Sequence, residues 1–450
     1  MLGPPFANTD NYQPKTTQCL AEAIQICHKL RQAGHVAYFA GGCVRDAMLG
    51  REPKDFDVAT DATPDRVREI FGKRKTLAIG AAFGVIAVLP HLAQATEQPT
   101  AQATEQANHP TGDQHGRQGI EPIEVATFRS DGEYLDGRRP SKVRYGDARH
   151  DALRRDFTIN GMFFDPDANQ VIDFVGGRDD LQRQMLRTIG DAEQRFEEDK
   201  LRMLRAVRFT CTLGFTLDAA ALQQIQRQAS EITVVSDERI GAEMRRVVAA
   251  PRTTVGLELL RLTNLHRHVL PSLQDAEWEP LAKLLQARER FEFETSLTLL
   301  IMALHVDQPA RDQTLHGLTK RWRLSNEEVR RIRSAMRWHG VVMDAEKKPW
   351  SAVQPVLVDR DIDAIMSVAR SVITANQQDR SGYERCLQAL AWQPQQLDPC
   401  PLLSGDDLKA AGYRPGRQFK DALQAVRAAQ LDGEIDSGQQ ALSLAAKYLD

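Results

Sequence analysis

The sequence predicts an α+β fold in the first part of the chain and an all-α region behind it. Short β-rich runs dominate up to about residue 175. Almost every segment beyond about residue 180 instead has the apolar period of a helix. Because the chain has 450 residues, it exceeds one typical hydrophobic core, and two to four domains are expected.

Composition sets the broad class of protein. Charged residues make up 26% of the chain and hydrophobic residues 42%, with a net charge of −3, so any nucleic-acid binding must depend on local basic clusters. The six cysteines show no C-x-x-C pairing and no zinc-ligand spacing, which is typical of reduced cytosolic thiols. The N-terminus lacks signal-peptide features and the longest apolar run is too short to span a bilayer. We therefore expect a cytoplasmic protein without a membrane segment.

The first predicted elements are a helix, a strand, a glycine turn and a second helix. An amphipathic helix is predicted from about residue 16 to 33, and AYFA, residues 37–40, predicts a buried strand. Gly41 and Gly42 then predict a tight turn that leads into a helix with the sequence CVRDAMLG. Such a turn presents free backbone N–H groups and the positive end of a helix dipole, which suits a triphosphate. Arg45 adds a planar donor fork on the same turn.

The segment KDFD follows and places Asp55 and Asp57 on either side of one apolar residue. In a β-strand, side chains two residues apart lie on the same face, about 7 Å from each other. Both carboxylates could therefore bind the same metal ions, as in a two-metal phosphoryl-transfer site. An isolated D-x-D triplet more often marks a solvated strand end or turn, so this prediction depends on its neighbours.

A polar segment separates the third and fourth predicted strands. Residues 91–119 are rich in Gln, Thr, Pro and Ala, and the pentapeptide QATEQ occurs twice. Because the segment lacks an aliphatic period, we predict a disordered insertion without chemistry.

Two later motifs add candidate site residues. IEVATFR predicts a strand, on which Glu124 becomes the third metal ligand if that strand lies beside KDFD; otherwise Glu124 is a solvent-facing strand residue. In LRRDFTING, Arg154 and Arg155 could fork onto phosphate or ribose oxygens, and Asp156 could orient them or accept from a sugar hydroxyl. Asp156 is the alternative third ligand. The competing interpretation of this motif is an exposed charge cluster.

The segment FEEDKLRMLRAVRF places an acid and three arginines at steps of three residues. On a single helix, Asp199, Arg202 and Arg205 would cover an arc of about 120°, with Arg208 roughly opposite Asp199 and more simply a packed residue. Adenine and cytosine present an amino donor beside a ring-nitrogen acceptor, and guanine and uracil present the reverse order. An accepting Asp199 with a donating Arg202 would therefore match A and C. The simpler alternative is a surface ion pair.

Taken in order, these motifs resemble those of the class II tRNA nucleotidyltransferase and bacterial poly(A) polymerase family. The matching segments are GGCVRDAMLG with KDFD, then RRDFTIN, EDKLRMLRAVRF and DERIGAEMRR, over about residues 20 to 250. The resemblance implies a nucleotidyltransferase palm of the polymerase-beta type, followed by a helical neck, body and tail. The corresponding ranges are 16–180, 181–250, 251–345 and 346–450.

The resemblance also implies the roles of individual residues. Asp55 and Asp57 would bind Mg²⁺ as catalytic residues, with Glu124 or Asp156 as the further catalytic carboxylate. ATP and CTP would be substrates, and Asp199 and Arg202 match the base-reading pair. The residues implied to contact the nucleotide are Gly41, Gly42, Arg45, Arg154, Arg155, Asp156, Asn160, Asp199, Arg202, Arg205 and Arg208.

A second stretch, residues 401–435, resembles the C-terminal element of the tRNA-directed members of this family. Within it, GYRPGR predicts a helix-entry turn on which Arg414 and Arg417 are suited to a phosphate contact. A plain helix connector, which needs no partner, is an equally good interpretation.

The predicted reaction is template-independent addition of CMP and AMP to an RNA 3′ end, most simply the CCA terminus of tRNA. Poly(A) tailing is the alternative, because the two activities share every motif quoted above; the tail element favours tRNA. Addition of only A or only CC is a third possibility that the motifs do not separate. From another class, an inactive RNA-binding relative would have lost Asp55 or Asp57, and both are present.

Overall fold

A computed structural model gives the fold of most of the chain. It describes residues 5–6, 9, 11–80, 84–90, 121–131 and 143–449. The insertion predicted at 91–119 lies outside these residues. The chain divides into two compact units, Met1–Val235 and Ser236–Asp450, and each is described by itself. The finer division into palm, neck, body and tail stays a prediction.

The first unit is built on β-strands and short helices. Its strands are β1 (Ala37–Ala40), β2 (Asp57–Thr60), β3 (Thr76–Gly80), β4 (Val85–Val88), β5 (Ile123–Thr127), β6 (Arg129–Asp131), β7 (Val143–Tyr145), β8 (Met162–Asp165), β9 (Gln170–Asp173), β10 (Met185–Leu186) and β11 (Thr216–Leu217). Its helices are α1 (Pro14–Gln32), α2 (Gly42–Met48), α3 (Pro64–Phe71), α4 (Ala148–Leu153), α5 (Gly177–Gln182), α6 (Ala192–Glu198), α7 (Leu201–Phe209) and α8 (Ala219–Gln228).

Seven of these strands form one mixed sheet in the order β3-β4-β5-β2-β1-β8-β9. Strands β2 and β5 are parallel, and the other neighbouring pairs are antiparallel. Phe39 of β1 is fully buried and lies 6.1 Å, centroid to centroid, from Phe164 of β8. The predicted front of the chain, a mixed sheet with helices, is confirmed.

Helix α7 does not end in an ordinary cap. It continues into a π-helical turn, Thr210–Gly214, and Gly214 then adopts a φ of 79°. Turns of this kind often occur beside functional sites because they displace the side chains around them. The residue before the turn, Phe209, belongs to the site described below.

The second unit is helical throughout residues 236–449, which confirms the all-α prediction. Its helices are α9 (Asp237–Val248), α10 (Thr253–Leu262), α11 (His266–Val269), α12 (Trp278–Gln286), α13 (Phe293–Leu304), α14 (Gln308–Arg321), α15 (Asn326–Met343), α16 (Trp350–Leu357), α17 (Ile362–Asn376), α18 (Ser381–Leu390), α19 (Pro394–Leu397), α20 (Gly405–Ala410), α21 (Arg417–Leu431) and α22 (Gly438–Leu449). At Gly241 of α9 a Cβ atom would lie 2.1 Å from the carbonyl oxygen of Trp322, so only glycine allows this close approach.

A buried arginine closes the C-terminal end of α9. Arg288 is 6% exposed, and burial lowers its pKa to about 10. Its guanidinium donates to the carbonyl oxygens of Val248 at 2.9 Å and Ala250 at 3.2 Å, and to Ser296 Oγ at 2.6 Å. The two carbonyl acceptors lie at or just beyond the negative end of the α9 dipole, where a cation is stabilising.

We expect Arg288→Met to lower the free energy of unfolding by about 3 kcal/mol, because the buried carbonyl groups lose their donors. Urea unfolding followed by circular dichroism measures the change. Arg290→Met is the matched control, since the Arg290 side chain is 75% exposed; its expected effect is below about 0.5 kcal/mol. Equal losses in the two variants would contradict a specific role for Arg288.

Candidate active site

Three carboxylates lie near one another at the start of β2. Asp57 is the first residue of this strand, and Asp55 lies just before it rather than within a strand as predicted. Because β2 and β5 are parallel with Val58 beside Val125, residue 124 stands next to residue 57 in the register. Sequence analysis predicted this neighbourhood only on the condition that the two strands pair, and the structure meets that condition.

The electrostatics of Asp57 depend on both of the other carboxylates. Burial, followed by the negative charges of Asp55 and Glu124, raises the pKa of Asp57 to about 7, and Arg155 opposes that rise. Concentrated negative charge on hard oxygen donors fits a divalent cation such as Mg²⁺. In the described part of the chain, no three acidic, His or Cys side chains have the geometry of a complete metal site. Since Mg²⁺ is usually held by one or two carboxylates together with substrate phosphates, a partial ligand set is the expected arrangement.

The pKa of Asp57 predicts how stability depends on pH. Because this pKa is raised above the ordinary value of 3.8, the stability contributed by the protonated carboxyl is fully present below about pH 4 and is lost as the pH rises through 7. We therefore expect the Tm of protein kept in EDTA to fall between pH 6 and pH 8 more steeply for the wild type than for Asp57→Asn. Added Mg²⁺ should raise the wild-type Tm more at pH 8 than at pH 6. Parallel Tm profiles would contradict the raised pKa.

The predicted glycine turn is confirmed. Gly41 precedes α2 with a φ of 73°, which favours glycine. A Cβ atom at Gly41 would lie 2.9 Å from Arg155 Nη1, and at Gly42 it would lie 3.8 Å from Arg45 Nη2. Both glycines therefore lie against arginine side chains of the site.

A buried acid that sequence analysis missed, Asp151, orients Arg154 and Arg155. Arg154 donates to Asp151 Oδ1 at 2.8 and 2.6 Å, and Arg155 donates to Oδ2 at 3.2 and 2.9 Å. Burial alone would raise the pKa of Asp151, but Arg155 and Arg154 more than offset burial and hold it below its usual value. The spacing of three and four residues between Asp151 and the two arginines was the available signal.

Asp156 has a different environment from Asp57. It accepts from Arg205 Nε at 2.8 Å and Nη2 at 2.5 Å, from Asn160 Nδ2 at 3.0 Å and from the backbone N–H of Phe157 at 2.8 Å. Burial would raise the pKa of Asp156, but Arg205 and these hydrogen bonds lower it to about 2. Both oxygens of Asp156 therefore already accept hydrogen bonds within the protein, and the choice of Glu124 or Asp156 as third metal ligand stays a prediction.

Asn160 connects this carboxylate to the glycine turn. While its Nδ2 donates to Asp156, its Oδ1 accepts from Arg45 Nη1 at 2.7 Å. Arg45 also donates from Nε and Nη2 to Asp46 at 2.8 and 2.9 Å, a partner that sequence analysis did not identify. The side chain of Arg45 is thus fixed from two sides.

The predicted base-reading pair does not lie on one helix. Helix α6 ends at Glu198, and Asp199 is extended, with φ −149° and ψ 104°, before α7 begins at Leu201. The single-helix arc assumed for Asp199, Arg202 and Arg205 is therefore wrong. Asp199 accepts from the N–H of Leu201 at 3.0 Å, so it acts as a local cap at the break between the helices.

Arg202 is held firmly at that break. It is 8% exposed and forms an ion pair with Glu198, which sequence analysis missed. It also donates to the carbonyl oxygens of Arg195 at 2.9 Å and Arg154 at 3.2 Å. These bonds fix the direction in which its guanidinium points.

Phe209 brings together three of the predicted arginines. The guanidinium carbons of Arg208, Arg45 and Arg205 lie 4.0, 5.3 and 5.4 Å from the centroid of its ring. These distances are within the range of cation–π contacts. Arg208, which the single-helix argument placed opposite Asp199 as a packed residue, therefore packs on the same ring as Arg45 and Arg205.

The remaining predicted residues lie in the second unit. Arg414 and Arg417 are exposed, and Gly416 is the N-cap of α21, which confirms the helix-entry turn. Their role toward RNA stays a prediction. None of the helices described here has both the length and the apolar character needed to cross a bilayer.

Two family descriptions match the chain. Residues 37–119 and 101–187 match the Poly A polymerase head domain. Residues 214–277 match the probable RNA and SrmB-binding site of polymerase A.

Relatives and solved structures extend the likeness to nearly the whole chain. The CCA-adding enzyme of Geobacillus stearothermophilus is 32% identical over 92% of this chain and 94% of that protein. The CCA-adding enzyme of Bacillus pumilus is 30% identical over 93% and 95%. The crystal structure of the Bacillus stearothermophilus CCA-adding enzyme in complex with CTP has a TM-score of 0.73 at 27% identity, covering 97% of this chain and 98% of that one.

Proposed function

Because the chain belongs to the family of CCA-adding enzymes, we propose that Asp55, Asp57 and Glu124 are the carboxylates at which it transfers CMP and AMP to the 3′ end of tRNA. The enzyme is a template-independent nucleotidyltransferase with CTP and ATP as substrates. The observation that supports the site most directly is the repulsion of Asp57 by Asp55 and Glu124 beside the glycine turn.

Enzymes of this family use divalent metal ions, and we propose Mg²⁺ held by Asp55 and Asp57. When bound, the metal would lower the pKa of the RNA 3′-hydroxyl and neutralise charge on the transferred phosphate and the leaving pyrophosphate. The contribution of the protein is to keep the carboxylates together and Arg155 within electrostatic reach of Asp57.

Base recognition is proposed for Asp199 and Arg202. Asp199 accepts from the exocyclic amino group of cytosine or adenine, and Arg202 donates to the adjoining ring nitrogen. Since Glu198 and two carbonyl oxygens fix the Arg202 guanidinium, the donor does not turn to accommodate guanine or uracil. The rigid placement of the Arg202 guanidinium therefore supports the selection of CTP and ATP without a template.

The other arginines are proposed to bind triphosphate and ribose. Arg154 and Arg155 present forks that Asp151 has already oriented. Arg45 lies against Gly42 on the turn whose backbone N–H groups would bind the triphosphate. Arg414 and Arg417 are proposed RNA phosphate contacts in the tail, and a cytoplasmic location also stays a prediction.

Four RNA primers test the function. Purified protein is incubated with Mg²⁺, labelled CTP or ATP, and tRNA transcripts ending before CCA, at C and at CC, with an unstructured RNA for comparison. Products extended by one to three nucleotides on tRNA alone are expected. Long A ladders on any RNA would overturn CCA addition in favour of poly(A) tailing, and extension by A alone or C alone would indicate a restricted enzyme.

Phe209 provides a test of the arginine arrangement. We expect Phe209→Leu to lower kcat/KM for both CTP and ATP by about 10-fold, because cation–π contacts worth about 0.5–2 kcal/mol each are lost. Phe209→Tyr keeps the ring and should stay near wild-type activity. Phe196→Leu is a control at another buried aromatic residue, and it should reduce stability more than kcat/KM. Wild-type kinetics in Phe209→Leu would remove the proposed role of the ring.

A further inference from the structure

A cavity of about 430 Å³ opens within the second unit, among helices α10, α11 and α12. Its size is in the range of small-ligand sites. The side chains that decide its chemistry are Glu258, Arg261, Asn264, His266, Arg267 and Trp278. None of them belongs to the candidate active site.

The first observation is positive charge that forms no ion pair within the described part of the chain. Arg261 and Arg267 are exposed, and neither forms an ion pair with a described residue, although Glu258 lines the same cavity. Elsewhere in this unit, Arg321 pairs with Asp237 and Arg330 with Asp361. Two guanidinium forks left without a carboxylate are suited to a phosphate group.

The second observation is an aromatic wall. Trp278 begins α12 and is half-buried, and the guanidinium carbon of Arg261 lies 5.7 Å from the centroid of its ring. An aromatic face beside arginine is the usual platform for an unstacked nucleobase of single-stranded RNA. The cavity therefore combines a phosphate site with a base site.

The third observation is that the polar wall is fixed in place. His266 is 3% exposed, with Nδ1 3.1 Å from the carbonyl oxygen of Leu260 and Nε2 2.6 Å from Gln274 Oε1. Asn264 adds an exposed amide at a backbone φ of 61°. Side-chain amides offer donors and acceptors to the edge of a base, and His266 holds the Gln274 amide in position.

We propose that this cavity binds one unstacked nucleotide of the RNA substrate, with its phosphate at Arg261 and Arg267 and its base on Trp278. The inference rests on the proposed function only in taking RNA as the ligand. It adds a contact that anchors the RNA body, apart from the residues that select the incoming nucleotide.

The dependence of tRNA binding on salt tests this proposal. The dissociation constant of the full-length protein for a tRNA transcript lacking CCA is measured by filter binding over a series of KCl concentrations. We expect Arg267→Ala to weaken binding about 5–10-fold and to reduce the slope of log K against log[salt] by about 0.7–0.9, the change for one lost phosphate contact. Arg267→Lys keeps the charge and should keep the slope.

Trp278→Leu should weaken binding at least about 5-fold with an unchanged slope, because stacking carries no charge. Arg290→Ala, at an exposed arginine outside the cavity, is the control and should change neither quantity. The KM for CTP at saturating tRNA should be unaffected in all variants. Unchanged affinity and slope in Arg267→Ala and Trp278→Leu would overturn the proposal. It would also be overturned if Arg267→Ala changed the slope no more than the control Arg290→Ala does. Failure of the wild type to extend tRNA would instead refute the proposed function, which the binding data do not measure.

Discussion

Asp57→Asn is expected to abolish nucleotide addition while leaving the fold intact. The substitution removes a charged oxygen ligand at the position where Asp55 and Glu124 concentrate negative charge, and a neutral amide does not replace it. A loss of at least about 10³-fold in kcat is expected, because electrostatic stabilisation is the largest part of phosphoryl-transfer catalysis. At pH 8 and without metal, the variant should also have a higher Tm than the wild type, since the repulsion among the three carboxylates is relieved.

Steady-state CMP incorporation on a tRNA lacking CCA measures the first effect, and thermal unfolding in EDTA measures the second. Glu69→Gln changes an exposed carboxylate away from this cluster and serves as the control for removing one charge. Near-normal turnover of purified Asp57→Asn would refute the proposed metal site. Loss of activity together with a lower Tm would indicate a structural role for Asp57 instead.

Arg202→Ala is expected to lower kcat/KM for CTP and ATP by about 10²–10³-fold. The change removes the donor that reads the ring nitrogen, and it leaves the partly buried Glu198 with one ion-pair partner fewer. Glu198→Gln keeps Arg202 but removes the ion pair that fixes its guanidinium, so an intermediate loss of kcat/KM is expected. Arg183→Ala, at an exposed arginine of the same unit, should have little effect.

The selectivity among the four nucleotides distinguishes a loss of base recognition from a general loss of nucleotide binding. Asp199→Asn replaces an acceptor with an amide that both donates and accepts, so GTP and UTP should become substrates relative to ATP and CTP. Incorporation of each of the four nucleotides is compared at equal concentration. Unchanged ratios in Asp199→Asn would mean that Asp199 does not contact the base.

Local patterns predicted the elements around the site well. The turn at Gly41 and Gly42 and the strand that begins at Asp57 follow from residues that lie within a few positions of each other. The placement of Glu124 beside Asp57 depends on β2 pairing with β5, strands that are distant in the sequence. Sequence reasoning could state that pairing only as a condition.

The errors have physical causes that can be named. A continuous helical pattern suggested one helix through Asp199, whereas its carboxylate caps the N–H of Leu201 and interrupts the helix. An aspartate just before an apolar helical run is a recognised start signal and could have indicated this break. Asp151 and Glu198 were missed because a carboxylate three or four residues from an arginine is common on helix surfaces. Burial distinguishes Asp151, and pairing with two arginines distinguishes Glu198.

The pairing of β4 with β5 also explains why residues can be inserted between these two strands. Val88 and Ile123 are direct partners in that antiparallel pair, so the chain leaves the sheet and re-enters it at adjoining positions. The entropy of closing a loop grows only with the logarithm of its length, so residues added between fixed ends cost little. Duplication of QATEQ could therefore lengthen the chain here without shifting Glu124 against Asp57. The same hairpin end is a suitable place to insert a reporter domain or to open new termini by circular permutation.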